Sequence, residues 1–314
     1  MVEQSILAAL DDALRTGDEV DEVIGAFFRM AKQSDDATKS NMLESLDAPM
    51  RAFPVERVSP VALLAGAFVE IGADPRRFPT AVFDHLVALL TTLDGASDDA
   101  ELPEYYYLLE RSAMACLSRS AQLRRTHPHK RAILAKLGRY RERYGFLGKM
   151  VQVLDDEPLV VLHPTTTRGF RFHMHGIADN FQLHSLLLGA LAGDGPKRIR
   201  GSVPPSEVTA AMSNGSSDGC ASAQSDWQLA SWTGLRGGGD FTQLDRKGSW
   251  IWNEGVPADI ELFEGTRVVL IGESTIQRSW NAQRVFPGMN GRLDGPELLS
   301  PAVVGAMLDR MRAS

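Results

Sequence analysis

Cysteine is almost missing from this chain. Cys116 and Cys220 are the only two, they stand far apart, and no Cys-x-x-Cys pair occurs. A disulfide framework and a zinc ribbon are both excluded on that ground. Long apolar runs are missing too. The longest, 61–69, has nine residues, against the ~20 that a membrane-crossing helix needs. The first residues are Met-Val-Glu-Gln-Ser and the stretch after them is acidic, without the basic start and apolar core of a secretory signal. These absences predict a soluble, cytoplasmic protein. No Gly-x-x-x-x-Gly-Lys loop, Gly-x-Gly-x-x-Gly fingerprint or His-Glu-x-x-His motif occurs. Ile271-Gly272-Glu273-Ser274-Thr275-Ile276 approaches a nucleophile elbow, but Ile276 stands where the sharp turn needs a second glycine. Gly237-Gly238-Gly239-Asp240 reads as a flexible turn.

What is present is ordinary globular material. The 314 residues are 44% hydrophobic and 23% charged, with a formal net charge of −7. That balance supports solubility and argues against a molecule that coats nucleic acid over its whole surface. Length and pattern together predict an α+β chain with an all-helical part, an array or bundle, over 1–154. A smaller mixed domain would follow over 155–314.

In the first part, Ile6, Leu7, Leu10 and Leu14 recur at helical spacing, as do Val20, Val23, Ile24, Phe27 and Phe28. Ser59-Pro60 and Asp74-Pro75 each read as an N-cap followed by proline at the first helical position. Further helices are expected over 102–123, 129–144 and 145–154. The second part begins with a β-prone run at 159–162. In 169–177, Phe170, Phe172 and Met174 alternate with Arg171, His173 and His175, the pattern of a strand. Asp179 reads as the cap of a helix bearing Leu183, Leu187 and Leu191. The Gly/Ser/Pro-rich stretch at about 193–226 reads as a long loop with a helical turn around 205–212. Strands are expected at 227–232, 249–253 and 266–271, and a last helix at 300–312 opens with Ser300-Pro301.

Three constellations could carry chemistry. The first is a histidine cluster, His163, His173, His175 and His184. Strand positions two apart share a face, which sets His173 beside His175. With His184 or Asp179 as a third group, they could hold a divalent zinc or iron ion, or act as acid–base groups. The bland reading is a polar strand surface beside a hydrogen-bonded core histidine.

The second is a tryptophan-rich region, since all five tryptophans lie between 227 and 280. Trp252, Asn253, Glu254, Arg278, Trp280, Asn281 and Arg284 suit an apolar floor with a few orienting polar groups, the composition of a small-ligand pocket. The arginines could clamp a carboxylate or phosphate. The alternative is that Trp250 and Trp252 only anchor a small β core.

The third is a basic stretch. From Arg111 to Lys149 there are eleven Lys or Arg residues and a single acid, Glu142. Arg124, Arg125, Lys130, Arg131, Lys136 and Arg139 could meet phosphates. The acidic first fifty residues, with eleven Asp or Glu against four Lys or Arg, offer an intramolecular partner that fits the charge better.

The function expected first is therefore an accessory protein. Its helical part would engage a protein partner and its α+β part would hold a small ligand. An enzyme using the His173/His175 face, with Asn253, Glu254, Arg278 and Asn281 orienting a substrate, is the alternative. Nucleic-acid contact through the basic stretch comes third.

Overall fold

Apolar residues at helical spacing make the first part of the chain helical throughout. The computed structural model describes residues 2–93, 102–137, 145–238 and 249–314. These form two compact units, 1–151 and 152–314, and the α+β class holds.

The first unit runs α1 (Val2–Thr16), α2 (Val20–Gln33), α3 (Asp36–Ser45), α4 (Asp47–Ala52), α5 (Val55–Glu70) and α6 (Thr80–Leu93). It continues with α7 (Glu104–Ser118), α8 (Ala121–Thr126), α9 (Lys130–Leu137) and α10 (Gly145–Gln152). Its core gathers on α5, which buries Val58, Val61, Ala62, Leu64, Ala65, Phe68 and Val69. Gly66 lets α7 approach closely, because a Cβ there would stand 2.9 Å from Ser112 Cα. The Ser112 hydroxyl then bonds the Ala62 carbonyl across the crossing.

Proline does not start α5 where the sequence suggests. The helix begins at Val55, and Pro60 lies inside it. Buried Val58 and Ser59 explain this: packing on that face extends the helix upstream, at the expense of the bond the Pro60 nitrogen cannot donate. Asp74 caps a short 3-10 turn, Pro75–Arg77, and α6 starts only after Pro79. The helix expected over 102–123 is broken at Arg119 and Ser120. Ser120 caps α8 instead, accepting from Leu123 N. Of the helix expected over 129–144, residues 138–144 lie outside the described residues.

The second unit is a mixed sheet with helices on both faces. Its strands are β1 (Leu154–His163), β2 (Arg168–Ile177), β3 (Cys220–Ser231), β4 (Leu262–Phe263), β5 (Thr266–Gln283) and β6 (Arg292–Leu299), in the order β3-β5-β1-β2-β6, with β4 paired to β5. The central β1 and β5 run parallel, and the other pairs are antiparallel. Alternate residues point to opposite cores. Leu159, Val161, Phe172, Met174, Val269 and Ile271 pack with Leu183 and Leu187 of α11 (Asn180–Leu191). Val160, Leu162, Val268 and Leu270 pack with Val304, Leu308 and Met311 of the last helix, Pro301–Ala313. Burial on both sides is why 159–162 reads as an unbroken apolar run.

The stretch 193–226 is not one long loop. It contains α12 (Glu207–Asn214) and the start of β3, so Pro301–Ala313 is α13. Segment 249–253 is no strand and, among the described residues, pairs with the sheet through an isolated bridge, Ala230 to Trp250. The strand expected at 266–271 continues to Gln283, and β6 had no signal in the sequence reading. The would-be elbow is an irregularity within β5. Ser225 pairs with Arg278 while Trp227 pairs with Glu273, so residues 274–277 bulge out of register.

Candidate functional site

The histidines divide between the two sides of the sheet. Phe172 and Met174 face α11, which turns His173 and His175 to the other side. A bulge in β1 at Asp156, whose φ is 59°, brings that residue to the same side. His173 Nδ1 lies 3.1 Å from Asp156 Oδ1, and His175 Nε2 lies 3.1 Å from Asp294 Oδ2. His175 Nδ1 also accepts from the Asp156 backbone N–H. Arg171 pairs with Glu297 and Arg292 with Asp294 on neighbouring positions. This is a ladder of cross-strand ion pairs. Its pairs are half-exposed and each contributes little, about 0–1 kcal/mol.

His184 cannot join that ladder as a metal ligand, because it lies in the α11 core on the opposite face. Asp179 caps α11, accepting from Gln182 N at 2.9 Å. Among the described residues, no group of three or more His, Cys, Asp or Glu is placed to hold a metal ion.

His184 instead anchors a buried polar knot. Its Nδ1 lies 3.4 Å from Asn253 Oδ1, and its Nε2 lies 3.1 Å from Ser225 Oγ. Asn253 can only accept at Oδ1, so Nδ1 carries the proton and Nε2 accepts from the serine. Ser225 Oγ in turn accepts from Trp227 N at 2.9 Å, closing the register shift between β3 and β5. Trp280 stacks on the imidazole at 4.6 Å and donates from Nε1 to Ser185 Oγ. Burial pushes the His184 imidazole down to about 3, so it is neutral. Serine, imidazole and amide lie in the sequence of contacts of a nucleophilic triad. Yet Ser225 is 1% exposed, His184 0% and Asn253 1%. The knot holds the fold, and neither cleft described next is lined by any of the three.

The open site lies next to the knot. Segment 250–255 is pinned where α11 begins. The N–H groups of Asn180 and Phe181, in the first turn and without intrahelical partners, donate to the carbonyls of Gly255 and Asn253 at 2.9 and 3.0 Å. Asn180 Nδ2 donates to the Trp252 carbonyl at 2.9 Å, and Ile251 N donates to Leu229 O of β3. This fixes alternate residues in opposite directions. Ile251 and Asn253 are buried, while Trp252 remains 47% exposed.

The Trp250 and Trp252 rings lie 5.5 Å apart at an interplanar angle of 58°, and the Arg278 guanidinium stands 5.9 Å from both ring centres. Gln228 Oε1 accepts from Arg278 at 3.2 Å. The two rings wall a cleft of about 330 Å³. Ile251 and Ile260 are its apolar lining, and Asn180, Ser231, Thr233, Asp259 and Glu261 its polar one. The Asn180 side chain is buried and its Oδ1 has no hydrogen-bond partner among the described residues. A buried acceptor left unpaired costs about 1–3 kcal/mol, and binding sites are where such a cost recurs.

Of the tryptophan-region residues, the structure brings Trp252 and Arg278 together at the cleft. Asn253 and Trp280 turn into the knot. Glu254 is exposed beside them, but does not line the cleft. Asn281 is exposed on the side of β5 away from Trp280, and Arg284 pairs with Asp218. Neither of these two can clamp a ligand held between Trp250 and Trp252. Asn180, Ser231, Thr233, Asp259, Ile260 and Glu261 escaped the sequence reading.

A second cleft, of about 570 Å³, lies past the end of β1 beside His163, Arg168, Arg198, Arg200 and Glu273. Its arginines and His163 are already engaged. Arg168 donates to the carbonyls of Gly195, Pro196 and Arg198, and Arg198 to those of Gly189 and Ala192. Arg200 pairs with Asp194, and His163, held below its ordinary value by burial, bonds Thr166. The arginines clamp the 193–201 loop in place.

The basic stretch is partly structural as well. Arg124 is buried and donates to the carbonyls of Leu117 and Ser118 at the end of α7, and Lys130 donates to the Arg124 carbonyl. These two are therefore spent on backbone, whereas Arg125 and Arg131 are exposed and Lys136 is half-buried. Arg139 lies outside the described residues. Among the described ion pairs, Asp11, Asp36, Asp47 and Glu44 pair with Arg15, Lys39, Arg51 and Arg77, none of them in the basic stretch. No helix of the described residues is long and apolar enough to cross a membrane.

No known protein family, curated protein or solved structure matches this chain.

Proposed function

We propose that the chain is a cytoplasmic binding protein whose second unit holds a small ligand in the Trp250/Trp252 cleft. One observation carries the reading: a tryptophan pair with Trp252 half-exposed borders a cleft lined also by Asn180, whose buried Oδ1 has no hydrogen-bond partner among the described residues. Aromatic surface supplies most of the contact in such sites, and a few polar groups orient the ligand. The cleft's volume lies at the small end of ligand pockets, which run from about 300 to 1,000 Å³. Two free cysteines, Cys116 buried and Cys220 exposed, agree with a reducing compartment.

The enzyme alternative at His173 and His175 has less support, because both imidazoles pair with carboxylates and neither lines a cleft described above. Within the helical unit, the exposed Arg125 and Arg131 favour an acidic protein surface as partner over nucleic acid, since Arg124 and Lys130 are already engaged.

A ligand-observed NMR screen of a small-metabolite library against the full chain and its Trp252→Ala variant tests the reading. Binders lost in the variant are expected. A library that yields no binder, or binders indifferent to Trp252, would contradict it.

A further inference from the structure

We infer that the cleft past the end of β1 is a second binding site, and that it takes the oxyanionic group of a small molecule, a carboxylate or a phosphate. It is separate from the Trp250/Trp252 cleft, so an oxyanion bound here counts neither for nor against a ligand held there. Charge is the first observation. Arg168, Arg198 and Arg200 line this cleft of about 570 Å³, and Glu273 is the single carboxylate of the lining. At other places in the same unit Arg171, Arg267 and Arg310 meet the carboxylates of Glu297, Glu157 and Glu264. Here, among the described residues, Arg168 and Arg198 form no ion pair and donate only to carbonyls. Those bonds hold the loop, yet a carbonyl leaves the guanidinium its full charge, and arginine does not lose its proton.

The second observation is geometry. Arg198 spends only Nη1, which donates to the Gly189 and Ala192 carbonyls at the end of α11. Its Nε and Nη2 are the parallel pair that meets two oxygens of a carboxylate or phosphate side-on, and they have no partner among the described residues. Arg200 spends only Nε, on Asp194.

The groups of opposite sign do not meet this demand. The α11 carbonyls, at the negative end of the helix dipole, offset part of the Arg198 charge, and Asp194 offsets that of Arg200. Glu273 makes no ion pair with any of the three arginines among the described residues. Its charge acts on His163, where the charge of Arg168 opposes it. His163 is itself pushed below its ordinary value by burial, so it brings no charge at neutral pH. A cation entering the cleft would face three guanidiniums with one carboxylate to meet it. A neutral apolar ligand would strip water from the guanidiniums and replace it with nothing.

Calorimetric titration of the full chain at low ionic strength with inorganic phosphate and with acetate is the experiment. Saturable binding is expected, and whichever of the two binds more tightly identifies the group. Choline should not compete with it. Arg198→Lys keeps the charge and a donor for the α11 carbonyls but removes the fork. It should weaken the bound oxyanion about tenfold or more, the loss of one charge-assisted hydrogen bond. Glu273→Gln removes the opposing charge and should strengthen binding about 2- to 5-fold, a gain that damage to the fold cannot produce. Arg310→Gln removes an equal charge on α13 and should change it by less than about 2-fold.

No saturable binding of either oxyanion would overturn the inference. So would competition by choline, binding that Arg198→Lys weakens no more than Arg310→Gln does, or binding that Glu273→Gln weakens. If Arg198→Lys does not fold, Glu273→Gln decides alone: a gain supports the inference and any other result overturns it. None of these results bears on the Trp250/Trp252 reading, whose own test is Trp252→Ala.

Discussion

The knot around His184 and the cleft around Trp252 use neighbouring residues for opposite ends. Trp252 and Asn253 are adjacent in sequence, yet one is 47% exposed at a cleft wall and the other 1% exposed against an imidazole. Each polar group of the knot has an internal partner, Ser225 to His184 to Asn253, with Trp280 stacked above and bonded to Ser185. Asn180, which lines the cleft, keeps its Oδ1 without one among the described residues. A satisfied buried network rigidifies, whereas an unsatisfied group beside open space is prepared for something that arrives. Chemistry-bearing residue types alone do not separate the two cases, since the knot has the richer set.

Substitutions that separate stability from binding sharpen the comparison. The largest loss is expected from Trp280→Ala, which empties the space against His184 and leaves Ser185 without its donor. A fall of about 3–5 kcal/mol in unfolding free energy, read by denaturant titration, is the expected result. A loss under about 1 kcal/mol would mean that the knot is not core.

Next in size is a pH effect. His184 titrates near its ordinary 6.5 when unfolded and at about 3 when folded. Between those values the unfolded chain binds more protons, so stability rises with pH there. His184 therefore contributes fully above pH 6.5, and that contribution is lost as pH falls toward 3. His127 and His163 are also pushed down by burial and add in the same direction. The difference between the parent and His184→Gln, measured by denaturation from pH 7.5 to 4, isolates the one group. A difference that does not narrow on acidification would contradict the burial of a neutral imidazole.

Ser225→Ala leaves Trp227 N–H and His184 Nε2 without their shared partner, at an expected loss of about 1–3 kcal/mol. Asp179→Ala, which removes the α11 cap, should lower stability by about 1 kcal/mol. At the bottom of the scale, Trp252→Ala should move stability by no more than about 0.5 kcal/mol while abolishing ligand capture. A large destabilisation from Trp252→Ala would instead mark the ring as packing.

Local signals in the sequence mark some of these features and leave others unmarked. The alternation in 169–177 and the Asp179 cap stand where the structure has β2 and α11, because both depend on neighbours in the chain. Ser300-Pro301 marks the start of α13 in the same way. Ser59-Pro60 does not, since the burial of Val58 and Ser59 outweighs the proline's preference. The start of β3, Cys-Ala-Ser-Ala-Gln-Ser, is small and polar, and becomes strand by pairing with β5. β6 contains Asp, Gly and Pro, residues that give no strand pattern in the sequence and that an edge strand accommodates.

At the site, clustered tryptophan and arginine point to Trp252 and Arg278. The contribution of Asn180 and Glu261 arises only when α11 and the residues after β3 meet, and no spacing in the chain announces it.

The most direct test of the account follows the five indole N–H signals of the tryptophans in a two-dimensional NMR spectrum while a binder from the small-metabolite screen is added. The account predicts that the Trp250 and Trp252 signals shift in a saturable way, with Trp227, Trp232 and Trp280 unmoved. Shifts confined to the three buried indoles, or no shift at any of the five with any binder from the screen, would contradict the assignment of the cleft as the binding site.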